Sequence, residues 1–172
     1  MGWYDRLDVI DWINYLVEEN PDINIILHGV SMGAATVMMA SSMELPTNVI
    51  GALADCGYTS PKEIIMKCTK DMKLPPKVFY PFIKLSAKVF GKFNLEEASP
   101  IESVAKTKLP IIFYHGKCDT FVPCYMSEKL YNACQSDKKL VLIDDCAHGL
   151  AYLVDKDKYI EELKEFFLKY EA

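Results

Sequence analysis

Apolar side chains recur along the chain at intervals that switch between two periods. Trp3, Leu7, Ile10 and Ile13, with Leu16 and Val17, are spaced by three and four residues. That spacing stacks them on one face of a helix, and Pro21 lies just past its end. Ile23-Asn24-Ile25-Ile26-Leu27 is a short β-branched run. It predicts a strand apolar on both faces, as strands buried in a parallel sheet are. His28-Gly29-Val30-Ser31-Met32-Gly33 then turns the chain, and Ala34–Met43 is expected to be a helix rich in small residues. Three further strands are expected at Val49–Ala54 (ending at Asp55), Leu109–Tyr114 and Leu140–Ile143. Helices follow the last two, near Pro123–Cys134 and Lys156–Tyr170. Alternating strands and helices predict an α/β fold, with a parallel sheet of about four strands flanked by helices.

The alternation breaks between Ser60 and Lys108. Ser60-Pro61-Lys62-Glu63 and Ser99-Pro100-Ile101-Glu102 are both Ser-x-x-Glu boxes with proline at the first helical position, which marks two helix starts. Between them Pro75-Pro76 separates two helical stretches. The second holds Val78, Phe79, Tyr80, Phe82, Ile83, Leu85, Val89 and Phe90, more apolar surface than one helix face hides. Residues 60–108 are therefore expected to be a helical cap laid over the sheet, inserted in a single domain of residues 1–172.

Composition narrows the function. With 51% hydrophobic and 25% charged residues the chain is of the globular class. No apolar run approaches the roughly 18 residues that would suggest a membrane span. The first residues, Met1-Gly2-Trp3-Tyr4-Asp5-Arg6, lack the basic and apolar regions of a signal peptide, so a cytoplasmic location is expected. A formal net charge of −5 argues against nucleic-acid binding, which needs clustered cations. Lys67, Lys70, Lys73 and Lys77 do gather, but Asp71 interrupts them and a solvated helix face is the expected reading. Six cysteines without a C-x-x-C pair, and three scattered histidines, give no disulfide framework and no zinc spacing. No metal and no cofactor are expected.

The chemistry concentrates at three expected strand ends. Gly29-Val30-Ser31-Met32-Gly33 is a G-x-S-x-G pentapeptide between a strand and a helix. That context puts a serine on a sharp, strained turn, with the flanking glycines giving room and the helix N-terminus facing developing negative charge. A serine hydroxyl needs a base. The third strand leads to Asp119 and the fourth to His148, in the chain order serine, acid, histidine. All three lie beyond carboxyl ends of strands, where parallel sheets bind ligands. Asp55, also at a strand end, is the fallback acid. His115 is expected to be structural, His28 to pack against the elbow, Asp144 and Asp145 to shape the histidine loop, and Cys118 to be a loop thiol.

These motifs, His28-Gly29-Val30-Ser31-Met32-Gly33-Ala34, Asp55-Cys56-Gly57-Tyr58-Thr59-Ser60, Pro110–Gly116 with Asp119, Val122-Pro123 and Ala147-His148, resemble the α/β-hydrolase superfamily. The likeness is to the branch of small bacterial esterases and acylaminoacyl-peptidase-like proteins. It implies that Ser31 attacks an acyl carbonyl, His148 takes its proton, Asp119 orients the imidazole, and the Met32 N–H serves the oxyanion hole. The apolar cap points to a small-molecule ester with a small or medium acyl chain, with Phe79, Phe82 and Ile83 as substrate contacts. Peptidase activity is a lesser alternative.

The resemblance also implies strands before the first helix, and a loop carrying the second oxyanion donor, that this sequence lacks. Without them Ile23–Leu27 is an apolar edge, expected to pair with a second copy or a complementing chain. The rival reading is a catalytically impaired fragment that acts as a binding or oligomerisation module.

Overall fold

Four strands run parallel and lie side by side in chain order: β1 (Ile25–Val30), β2 (Val49–Asp55), β3 (Ile111–Gly116) and β4 (Lys138–Ile143). The computed structural model describes residues 1–170. It is an α/β fold, a parallel sheet with helices on both faces. On one face, α1 (Asp5–Glu19), α2 (Met32–Ala40), α5 (Pro100–Val104) and α6 (Tyr125–Ala133) close over Ile25, Leu27, Ala52, Ala54, Ile111 and Phe113. On the other, α7 (Ala151–Val154) and α8 (Lys156–Phe167) cover Leu53, Ile112, Tyr114, Val141 and Ile143. The alternation of inward side chains along each strand divides these two sets between the faces.

The sheet departs from the sequence reading at β1. The strand continues through His28-Gly29-Val30, where a turn was expected, because its parallel register with β2 runs unbroken from Ile26↔Gly51 to Val30↔Asp55. Only Ser31 is left to make the turn. Nor is β1 buried on both faces. Ile25 and Leu27 point into the core, whereas Ile26, His28 and Val30 face outward, Ile26 at 37% and Val30 at 43% exposure. The second layer stops one strand short. Phe167 of α8 lies so close over β2 that a Cβ on Gly51 would meet its ring at 2.2 Å, and that layer leaves β1 open. His28 is accordingly an outward, exposed residue of the edge strand.

Between β2 and β3 the chain makes α3 (Pro61–Asp71), α4 (Pro76–Val89) and α5. Ser60 caps α3 by accepting the Glu63 N–H at 3.2 Å, and Ser99 caps α5 by accepting the Glu102 N–H at 3.4 Å. Glu63 does not return to the Ser60 backbone; its carboxylate takes the Thr59 hydroxyl and the Lys129 ammonium. α4 packs against α3, while Val104 of α5 is fully buried in the main core with α2 and α6.

Candidate active site

Ser31 sits between β1 and α2 with φ 55° and ψ −111°, a left-handed conformation that L side chains rarely adopt. The turn holds because its N–H donates to Asp55 O at 2.8 Å and its carbonyl accepts the Ala35 N–H at 3.1 Å. Gly29 makes it possible: a Cβ there would lie 2.2 Å from the backbone of Gly33. Gly33 is different from expectation, since a Cβ on it would meet nothing within 4 Å. The crowding at the elbow therefore falls on the first glycine alone. Met32 opens α2, so its N–H is among the helix donors that lack an intrahelical acceptor.

The loops after β3 and β4 bring two more groups to this rim, held together by a Cys118 N–H to Cys146 O bond of 2.9 Å. His148 Nε2 stands 2.9 Å from Ser31 Oγ, and its Nδ1 stands 2.6 Å from Asp119 Oδ2. Asp119 is buried, and its other oxygen accepts the N–H groups of Phe121 at 2.9 Å and Val122 at 2.8 Å. Burial by itself would push the Asp119 carboxyl up. The bonds from His115, His148 and the Val122 N–H outweigh it and hold the carboxyl below its ordinary value. His115 is fully buried, with Nδ1 2.6 Å from Ser127 Oγ and Nε2 2.8 Å from Val122 O. Nε2 also lies 3.2 Å from Asp119 Oδ2, so His115 braces the acid loop, as a structural histidine does.

A serine on a strained strand-to-helix turn, aligned with an imidazole and a carboxylate from two neighbouring loops, suits acyl transfer. The FSH1 serine hydrolase family matches residues 7–150. The chain belongs to that family. FSH1-type hydrolases thus provide the frame for the more distant likenesses. The YqkD protein of Bacillus subtilis is 24% identical over 167 residues, 96% of this chain and 55% of its own length. The Pyrococcus furiosus esterase Pf2001 superposes with a TM-score of 0.73 at 20% identity, over 100% of this chain and 63% of the esterase. The Pyrococcus horikoshii acylaminoacyl peptidase gives 0.71 at 18%, over 99% of this chain and 29% of the peptidase. Both structures share the fold, and this FSH1-family chain spans about half the length of the curated relatives it matches.

The fallback acid is not used in this arrangement. Asp55 Oδ2 accepts the Tyr159 hydroxyl at 3.3 Å, and Oδ1 is buried with no hydrogen-bond partner. Burial raises its pKa to about 6. Cys56, next in the chain, lies with Sγ 4.0 Å from His148 Nε2. Burial, then the Asp55 charge, push this thiol up to about 12, which keeps it protonated and unreactive. Cys118 is exposed in the acid loop, and Asp144 pairs with Lys117 at 2.6 Å across the adjoining loops.

Beside Ser31 opens a cavity of about 410 Å³, lined by Met1, Met32, Tyr58, Phe121, the α3 residues Ile64, Ile65, Cys68 and Thr69, and Met72 just past the end of α3. Of the three expected substrate contacts, Ile83 lines this cavity, while Phe79 and Phe82 do not. The helical period explains why. Tyr80, Ile83 and Ala87 share the α4 face turned toward α3, and Phe82, 68% exposed, points away. The sequence reading missed the α3 wall, although Ile64, Cys68 and Met72 recur at four-residue steps. It also missed Phe121, whose ring stands edge-on to His148 with centroids 5.0 Å apart. Its position two residues past Asp119 was the available signal.

Proposed function

We propose that this chain is a carboxylic-ester hydrolase that works through a Ser31–His148–Asp119 triad and an acyl-enzyme. The observation that carries the reading is the unbroken hydrogen-bonded line from Asp119 Oδ2 through His148 to Ser31 Oγ beside an apolar cavity. Ser31 Oγ attacks the acyl carbonyl while His148 Nε2 takes its proton. Asp119 on Nδ1 fixes the tautomer and stabilises the imidazolium. His148 then returns the proton to the leaving alcohol, and water, deprotonated by the same nitrogen, releases the acid from Ser31.

The Met32 N–H, at the start of α2, serves as an oxyanion donor on this reading. In this fold a second donor comes from a loop after an earlier strand. A chain working with one donor would turn over about 10²–10³-fold more slowly. The cavity is closed by α3 and Ile83 of α4, which act as the cap. Apolar walls suit a small to medium acyl chain, since such pockets gain most from burying apolar surface.

A fluorophosphonate probe tests the nucleophile. Labelling is expected in the unmodified chain and absent in Ser31→Ala, with p-nitrophenyl butyrate as the turnover substrate. Because a general base acts only when unprotonated, the rate should fall in acid, and a flat profile from acid to neutral pH would exclude His148 as the base. The uncovered β1 supports a second reading, a fragment that binds or oligomerises without turnover. A well-folded chain that the probe fails to label would favour it.

A further inference from the structure

α4 is amphipathic in an unusual sense. Its inner face, Pro76, Tyr80, Ile83 and Ala87, rests on α3. Its opposite face is also apolar: Val78, Phe82, Leu85 and Val89 follow one another at helical spacing, and all four are exposed. Met72, Leu74 and Phe90 extend this exposed apolar surface at the two ends of the helix. Such contiguous exposed surface on a globular domain marks an interaction site.

Charge identifies the occupant. From Met72 to Leu95 there are five lysines, Lys73, Lys77, Lys84, Lys88 and Lys92, and no acidic residue, in a chain whose net charge is −5. Lys84 is paired with Glu96 at 2.5 Å. Lys77 and Lys88 lie on one flank of the apolar stripe, with Lys73 and Lys92 beyond the helix ends. An apolar helix face edged by lysines is the pattern that beds into the boundary between headgroups and acyl chains. Long lysine stems let the ammonium groups reach the headgroups while the stripe is buried.

We infer that the outer face of α4 docks the protein on an anionic lipid surface and presents the cavity beside Ser31 to esters held there. The placement fits that reading, because Ile83 on the inner face of the same helix and Met72 just before it both line the cavity. The docking surface and the mouth of the site thus belong to one helical unit. The substrate class follows from the hydrolase reading, on which this inference rests: amphiphilic esters that partition into membranes.

Co-sedimentation with vesicles of phosphatidylcholine alone, and of equal parts phosphatidylcholine and phosphatidylglycerol, tests the docking without any turnover. The chain should pellet with the anionic vesicles, stay in solution with the neutral ones, and be released by salt. Each of Lys77→Gln and Lys88→Gln should weaken binding about fivefold. Leu85→Ser with Val89→Ser should weaken it at least tenfold. All four positions are outside the cavity and the triad, so hydrolysis of soluble p-nitrophenyl butyrate should be unchanged and reports folding. Equal binding to both vesicles, no binding, or binding indifferent to these substitutions would overturn the inference. So would a dimer, seen by sedimentation, that Leu85→Ser and Val89→Ser dissolve, since a second copy would then be the occupant. Vesicle binding without esterase activity would instead sink the hydrolase reading and leave the docking surface standing.

Discussion

Gly29, in the strand that leads into the elbow, and Asp55, at the end of the neighbouring strand, each carry a cost that one substitution exposes. A methyl group at position 29 would overlap the Gly33 backbone at 2.2 Å, and backbone cannot swing aside as a side chain does. Gly29→Ala should therefore destabilise the fold by about 3 kcal/mol or more, at the upper end of overpacking penalties. Gly33→Ala, facing open space, should be nearly silent or mildly stabilising. Denaturant unfolding of the two variants checks the contrast; equal effects would mean the elbow is looser than drawn. Asp55 illustrates a charge kept in an unfavourable place. Its folded-state pKa of about 6 is some two units above that of an unfolded chain, which corresponds to about 3 kcal/mol. Between about pH 4 and pH 6 the folded chain holds a proton there that the unfolded chain has released. Stability from this group is thus complete below about pH 4 and is lost as the pH rises through 6. Asp55→Asn cannot ionise. Measured against the unmodified chain, its relative stability should climb across that interval and level off above it. A difference that stays constant with pH would show that Asp55 titrates normally.

At the level of elements, the outcome separates what periodicity encodes from what it omits. The order of strands and helices, the two serine caps and the three strand-end groups follow from local spacing and turn chemistry, and the fold brings Ser31, Asp119 and His148 to one rim. The pocket wall was not legible in the same way. Both α3 and α4 carry apolar residues around more than one face, and nothing local in the sequence says which face meets the other helix. Phe79 and Phe82 drew attention by size, yet the helical phase set by Tyr80 and Ile83 turns Phe82 outward and leaves Phe79 off the cavity. The smaller Ile64 and Cys68 of α3, with Met72 at its C-cap, hold the wall. On the proposed ester-hydrolase reading, chain-length selection falls to α3. Cys68→Trp should fill part of the cavity and shift preference from p-nitrophenyl butyrate toward acetate by more than tenfold in kcat/KM, within the range that methylene-scale fit supplies. The corresponding Phe82→Ala should leave that ratio unmoved. If Phe82→Ala changes the ratio and Cys68→Trp does not, the acyl group lies against α4 instead.

For the whole molecule the decisive asymmetry is between the two edges of the sheet. β4 opens with Lys138 and Lys139, the latter tied to Glu162 and Glu165 of α8, and charges of that kind discourage a further strand from adding. β1 has no such guard. Its sequence, Ile25-Ile26-Leu27-His28-Gly29-Val30, carries no acidic residue, lysine or arginine, partial burial lowers the pKa of His28 and disfavours its charged form, and Ile26 and Val30 are open on its uncovered face. The register of the buried face is fixed by Ile25 and Leu27 in the core and, past an irregularity between Ile25 and Ile26, runs evenly to Val30, so that stretch of edge offers backbone groups to a partner strand. We propose that this edge pairs, with a second copy of the chain or with a complementing polypeptide. It then matters for catalysis, since the residue after β1 is Ser31 itself and a neighbouring strand would hold the elbow from its open side. Ile26→Lys places a charge on the outward face without touching the core. Sedimentation of the unmodified chain should show association that grows with concentration, and Ile26→Lys should be monomeric at concentrations where the parent is not. A parent chain that stays monomeric at every concentration, and whose fluorophosphonate labelling matches that of Ile26→Lys, would show that β1 needs no partner.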